Sequence, residues 1–307
     1  MYLGFLTGCM GNIPLREKAQ WAKEHGLDSI EVSCWPKLND RDYSSSDIDV
    51  ANLTVEGAKE INVYLNDMGL KISSLAYYDN NLSADLENRK RINDHVLKVI
   101  DAACLLGVDL VGTFAGRNHT VSMQENFDQF EEVFSKIVGY AESKGIRVMI
   151  ENCPMVGWQV PGLPGTISFS PELWREMFKR VPNKNFGLNY DPSHLRFMLI
   201  DYLAPIAEFK DRIFHTHAKD VIVDYDVLAQ TGVYNKQLHY TPGGGFWRAV
   251  MPGLGDIDFG MIIDELKLNG YDGAISIEHE DPDYEGSLEK VKRGLEIAIS
   301  NLRDIVK

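Results

Sequence analysis

The sequence predicts an α/β protein in which strands and helices alternate from end to end, and a closed, single-domain (β/α)8 barrel fits that alternation best. Three observations carry the prediction. A helix that ends in glycine and runs straight into a β-rich segment recurs five times, the strands number eight, and the connections are long at one end of the strands and short at the other.

The chain opens on an apolar strand, Tyr2–Thr7. The glycine unit follows at His25-Gly26-Leu27, Met68-Gly69-Leu70, Leu106-Gly107-Val108, Lys144-Gly145-Ile146 and Asn269-Gly270-Tyr271. In each, a left-handed glycine closes the helix and turns the chain into the next strand. Two further strands, Asn185–Tyr190 and Arg212–His217, lack the glycine but keep the rhythm. Such alternation means a parallel sheet, for which a doubly wound sheet and a closed barrel are both open; the count of eight and the 307 residues favour the barrel. Leu86–Leu106 and Phe127–Ser143 carry apolar residues at helical spacing with charges between, the pattern of an outer helical layer. Ser170-Pro171-Glu172 reads as the start of the fifth helix, with the serine placed to cap it and proline in the first turn. Helix-to-strand turns are short, whereas Cys34–Leu53, Asn152–Phe169 and Ala218–Asp256 are long strand-to-helix connections. Long loops therefore gather at the strands' C-terminal ends, where such barrels build their sites. No linker divides the chain, so residues 1–307 read as one domain, with 218–256 an insertion suited to act as a lid.

Composition narrows the function. A hydrophobic fraction of 44% supports a large core, and no segment approaches the length of a membrane span. The 31 Lys+Arg stand against 45 Asp+Glu, a formal charge of −14 that repels nucleic acid and anionic lipid. Cys9, Cys34, Cys104 and Cys153 are scattered, which indicates neither a disulfide framework nor a zinc ribbon. With no basic leader at the start, the expectation is a cytoplasmic enzyme acting on a small molecule; a homo-oligomer is left open.

Four strand exits in succession end in ligand-type side chains: Glu151-Asn152, then Asp191, then His215-Thr216-His217, then Glu278-His279-Glu280. Pro192 cannot donate to a strand ladder, so it marks an exit from Asp191 into a loop carrying His194. Adjacent strand ends stand around one rim in a closed barrel, so Glu151, Asp191, His217 and Glu278 can converge on one divalent ion. Carboxylates with one imidazole suit Mn²⁺, Co²⁺ or Mg²⁺, with Zn²⁺ as an alternative. Three carboxylates exceed the charge of a dication by one. His215 shares a face with His217 and lies deeper, which makes His217 the ligand and His215 a buried neighbour. One glutamate at a strand end is more often a surface residue; four consecutive exits make the metal reading. On the same rim, His119 is placed to touch substrate. Lys219 and Asp220 follow the ligand histidine and either tune it or pair with each other. Gly243-Gly244-Gly245-Phe246-Trp247-Arg248 mixes glycine hinges with a tryptophan and an arginine, as a lid requires.

These motifs resemble the xylose isomerase-like TIM barrels, the sugar phosphate isomerase/epimerase superfamily, over nearly the whole chain. The resemblance implies one divalent metal on Glu151, Asp191, His217 and Glu278, with His194 contacting substrate. It implies isomerisation or epimerisation of a monosaccharide or derivative: the metal chelates a carbonyl and its neighbouring hydroxyl and stabilises the enediolate formed when the intervening proton leaves. Glu151 and Glu278 are the acid–base pair. The ketose epimerases carry an arginine after the metal histidine that is missing here, and Arg248 is the substitute. Their second glutamate falls here at Gly157-Trp158, where Trp158 forms either an apolar wall against a sugar face or plain loop packing.

The closest rival is a metal-dependent lyase or dehydratase on an inosose or keto-glycoside. An endonuclease IV-like repair enzyme would need histidines at the third and fourth strand exits, which read Ala76-Tyr77-Tyr78 and Phe114-Ala115-Gly116. A non-catalytic sugar-binding protein would have no use for a full ligand set.

Overall fold

A computed structural model describes residues 1–11, 13–37, 45–160, 163–234, 236, 238 and 245–307. The barrel strands are β1 (Tyr2–Leu6), β2 (Ser29–Ser33), β3 (Lys71–Asn80), β4 (Leu110–Phe114), β5 (Arg147–Glu151), β6 (Phe186–Tyr190) and β7 (Ile213–Ala218). A short pair, β8 (Asp220–Val223) and β9 (Trp247–Val250), precedes the last barrel strand, β10 (Ala274–Ile277). The eight barrel strands close in the order β1-β10-β7-β6-β5-β4-β3-β2, every neighbour parallel. The doubly wound alternative is thereby excluded.

Helices alternate with the strands: α1 (Leu15–Glu24), α2 (Val55–Met68), α3 (Leu86–Leu106), α4 (Met123–Ser143), α5 (Pro171–Arg180), α6 (Pro192–Phe197), α7 (Ala204–Glu208), α8 (Tyr225–Thr231), α9 (Phe259–Leu268) and α10 (Leu288–Val306). The α3 helix shows why they form. Asp85 caps it by accepting the N–H groups of Glu87 and Asn88, and Ile92, Val96, Val99, Ala103 and Leu106 bury one stripe against the barrel. Each such aliphatic side chain contributes about 1.5–3 kcal/mol by leaving water. Gly26, Gly69, Gly107, Gly145 and Gly270 all have φ between 68° and 82°, the left-handed conformation that ends a helix. Two starts differ from expectation. The α4 helix begins at Met123 rather than Phe127 because Ser122 and Glu125 form a reciprocal capping box. Ser170 precedes α5 but makes no side-chain cap bond, so Pro171 in the first turn sets that start.

Register sets the level of the rim. Glu151 lies opposite Asn189 on β6, which puts Asp191 one pleat further out. His217 lies opposite Ser276 on β10, which does the same for Glu278.

Within 218–256, β8 and β9 form an antiparallel ribbon, with Val223 opposite Trp247. The Trp247 ring stacks on Phe197 of α6, centroids 4.0 Å apart and nearly coplanar at 7°. Asp220 accepts the backbone N–H groups of Gly253, Gly255 and Ile257, and Asp256 pairs with Arg196 at 3.0 Å. The ribbon is therefore fastened over α6. The segment Tyr240–Gly244, which carries two of the expected hinge glycines, lies outside the described residues.

Candidate metal and active site

The four side chains expected to converge do so. Glu151, Asp191, His217 and Glu278 each offer one ligand atom, and all four atoms lie within 4.8 Å of one another. His217 Nδ1 is 3.2 Å from Glu151 Oε1 and 3.1 Å from Glu278 Oε2. Bonds of about 2.1 Å to a divalent ion put neighbouring ligand atoms roughly 3.0–3.5 Å apart, so these spacings suit one. Asp191 Oδ2 and Glu278 Oε2 are both buried and turned into the cage, where Lys219 Nζ stands 3.2 and 2.7 Å from them. The residues fit a divalent ion.

Local sequence explains the aim of each group. Asp191 is the N-cap of α6: its Oδ1 accepts the Ser193 N–H at 2.8 Å, so Oδ2 is turned into the cage. His194 thus stands in the first turn of a helix, not on the loop that Pro192 suggests. Its Nε2 faces Glu151 Oε1 at 3.3 Å and Asp191 Oδ2 at 3.4 Å. Asn152 clamps two strand exits together, accepting the Asp191 N–H at 2.7 Å and donating to the Asp191 carbonyl at 2.8 Å.

Lys219 was expected near the ligands, and the structure puts its ammonium among them. Nζ is 2.7 Å from Glu278 Oε2, 3.2 Å from Asp191 Oδ2, 3.3 Å from Glu280 Oε2 and 3.9 Å from Glu151 Oε1. Burial opposes the charged lysine, yet Glu278, Glu280, Asp191 and Glu151 hold its pKa well above the usual value. The Glu151 carboxyl is likewise opposed by burial and driven well below its usual range by Lys219, His194 and His217. The excess negative charge inferred from three carboxylates and a dication is thus cancelled inside the protein. Lys219 and Asp220 do not pair: one faces the cage, and the other anchors the loop after the ribbon.

Sequence reasoning missed the layer beneath. Glu31, fully buried on β2, meets His217 Nε2 at 2.9 Å and accepts hydrogen bonds from Tyr78 and Ser276, both at 2.8 Å. A carboxylate on the far ring nitrogen fixes the tautomer that presents Nδ1 to the cage. Burial opposes ionisation of Glu31, but His217 and His215 hold its carboxyl down at about 2. His215 lies in this layer, as expected, bonded to Asn189 Oδ1 and Ser73 Oγ, and burial lowers its pKa to about 4. The alternation of Glu31 and Ser33 on β2 was available as a signal, but nothing local marks an inward glutamate.

The remaining expected residues divide. Trp158 packs edge-on to Phe114, which contacts Tyr78, which in turn meets the His217 ring, so two aromatic rings separate Trp158 from the cage histidine. His119 is half-buried after β4, its pKa lowered by burial and by the charge of Arg117. Arg248 is exposed on β9 and pairs with Asp283 at 3.0 Å, among the described residues without contact to the cage.

A parallel eightfold barrel with a carboxylate–histidine cage at its C-terminal rim defines a class of metal-site barrel proteins. The model of the family described as xylose isomerase-like TIM barrel matches residues 19–303, and the chain belongs to that family. The Bacillus subtilis (strain 168) protein recorded as "Uncharacterized protein YfiH" is 26% identical over 92% of this chain and 93% of its own. An inosose dehydratase of Clostridium perfringens is 24% identical over 69% of this chain and 68% of its own. Among solved structures, the IOLI protein with a bound zinc atom superposes with a TM-score of 0.72 at 19% identity, covering 100% of this chain and 98% of that one. The D-psicose 3-epimerase of Clostridium cellulolyticum H10 with D-tagatose gives 0.71 at 14%, covering 100% of both.

Proposed function

We propose that the protein is a divalent-metal-dependent isomerase or epimerase of a keto-sugar or related polyol ketone, working by proton transfer at the carbon beside the carbonyl. The observation that carries the reading is the convergence of Glu151, Asp191, His217 and Glu278 within 4.8 Å at the catalytic rim. An ion held there would polarise the carbonyl and make the adjacent C–H acidic. Glu151 and Glu278 are the carboxylates placed to take that proton and return it. Lys219 helps to keep Glu151 ionised and can hold a proton at Nζ, 2.7 Å from Glu278. His194 offers a ring nitrogen to a substrate hydroxyl. Phe114, backed by Trp158, supplies an apolar wall that keeps water off the reacting carbon.

A dehydratase is the second reading, favoured by two observations. Relatives named inosose dehydratase include one in Lactiplantibacillus plantarum that is 34% identical over 34% of this chain. Lys219 also adjoins Glu278 where a departing hydroxyl would need a proton.

Keto-sugars and keto-inositols incubated in deuterated water with added Mn²⁺ separate the two. Epimerisation puts deuterium on carbon with every oxygen retained, whereas dehydration loses one oxygen and builds a conjugated carbonyl that absorbs in the ultraviolet. Glu278→Gln keeps the fold and is expected to lower exchange at least about 100-fold, the scale of a lost general base. Undiminished exchange removes Glu278 from the chemistry.

A further inference from the structure

Among the described residues, the buried lysines and arginines are Lys18, Lys219 and Arg117. Lys18 pairs with Asp47 at 2.7 Å, and Lys219 stands among four carboxylates. Arg117 is only 4% exposed, yet it forms no ion pair among the described residues. Its Nη1 makes one long bond, to the Pro164 carbonyl at 3.4 Å, and its Nε is buried without a partner. Arg212 shows how an arginine without an ion pair is otherwise satisfied, since it donates to the carbonyls of Pro182, Asn183 and Phe186. Burial lowers the Arg117 pKa, and no carboxylate raises it. A buried cation with neither a counterion nor a full set of acceptors costs free energy that the fold does not recover.

The backbone holds this side chain at the functional rim. Gly116 has φ of 82°, and a Cβ there would collide with the Asn80 side chain. Asn80 accepts the Arg117 N–H at 2.9 Å and donates to the Arg117 carbonyl at 3.0 Å. Thr113 on β4 lies opposite Ile150 on β5, so Arg117 follows the strand exit next to the one that carries Glu151.

We propose that Arg117 binds a carboxylate of the substrate, which makes the substrate a sugar acid, a polyol ketone with a terminal carboxylate. The ketone rests on the isomerase reading; the acid rests on Arg117 alone. With Nη1 on Pro164, the edge formed by Nε and Nη2 is left for a ligand. Two parallel N–H bonds from that edge match the two oxygens of a carboxylate. One guanidinium also matches one carboxylate in charge. A phosphate, close to −2, would leave a charge over in a chain that already carries −14. Lys219 balances the cage, so the Arg117 charge remains available to a ligand.

Two measurements on the Mn²⁺-loaded protein test this. The first is deuterium exchange into a hexulosonate, the corresponding ketose phosphate and the neutral ketose. The wild type is expected to favour the hexulosonate over the neutral ketose about 100-fold in kcat/KM, the scale of a buried charge-assisted pair. Arg117→Met should bring the two level, chiefly through KM, and Arg117→Lys should restore part of the preference. The second is calorimetric binding of gluconate, an unreactive sugar acid, against sorbitol, its neutral counterpart. Gluconate should bind the wild type more tightly than sorbitol, and Arg117→Met should remove the difference. A wild type that exchanges all three ketoses alike overturns the carboxylate site and leaves the isomerase reading standing, and a preference for the ketose phosphate overturns the choice of carboxylate. Exchange into none of them, with gluconate still bound through Arg117, overturns the isomerase reading and keeps the carboxylate site. Unchanged gluconate binding in Arg117→Met, together with a lowered urea midpoint, assigns the arginine to the scaffold and overturns the proposal.

Discussion

Glu31 never meets the cage cavity, yet it decides which nitrogen His217 presents there. Replacing it with glutamine keeps the volume and removes the charge that holds the ring. Affinity for Mn²⁺ or Co²⁺ is expected to fall about 10–100-fold in Glu31→Gln, read by competition with a chelating dye, with little change in far-ultraviolet dichroism. His215, in the same layer, sets a pH limit on stability. Its folded pKa of about 4 lies below the ordinary histidine value of 6.5, so on acidification the unfolded chain takes up this proton first. Stability should therefore fall between pH 6.5 and about 4, by up to about 3 kcal/mol. The Glu31 contribution is lost lower, between 4.5 and about 2. Urea midpoints at pH 7 and pH 4.5 are expected to separate less in His215→Asn than in the wild type. The contrast between these residues explains what could be read in advance. Glu151, Asp191, His217 and Glu278 announce themselves by position, each at the end of an apolar run. Glu31 sits within a run, and its partner His217 is 186 residues away, a contact that only closure of the barrel creates.

At the scale of the element, five left-handed glycines make the strand order legible. Gly107 tests their role cleanly. Its φ is 68°, and a Cβ built there would meet nothing within 4 Å, so only the backbone resists substitution. Gly107→Ala is expected to cost about 1 kcal/mol in urea denaturation and to leave metal binding untouched. Gly112 is different, because a Cβ there would lie 2.5 Å from the Tyr78 hydroxyl that hydrogen-bonds Glu31. The elements that escaped periodicity are short ones. The six residues of α6 are too few for a helical stripe, and the ribbon of β8 and β9 pairs segments separated by a long insertion. Asp191-Pro192-Ser193 did carry a usable sign, an N-cap followed by proline, that reads as a strand exit when only the strand is considered. The same geometry turns one carboxylate oxygen to the helix and frees the other for the cage.

The molecule as a whole carries −14, and its rim gathers acids that cannot all be buried without compensation. Composition gives the surplus of acids but not its remedy, since Lys219 looks like any lysine until the barrel closes around it. The ammonium, only 3% exposed, is the cation that balances the cage when no ion is bound. Removing a single partner from a buried charge cluster costs about 3–5 kcal/mol, because the charges left behind have neither water nor a counterion. Lys219→Met keeps the length of the side chain and deletes the charge. In the chelator-treated protein it is expected to lower stability by about that amount. Added Mn²⁺ should restore most of the loss, because the ion supplies positive charge at the same carboxylates and stabilises the folded state by mass action. The measurement is the denaturation midpoint of both proteins with and without the ion. A deficit that is identical in the two conditions would mean that the ammonium and the ion do not act on the same carboxylates, and that the charge balance of the cage is set elsewhere.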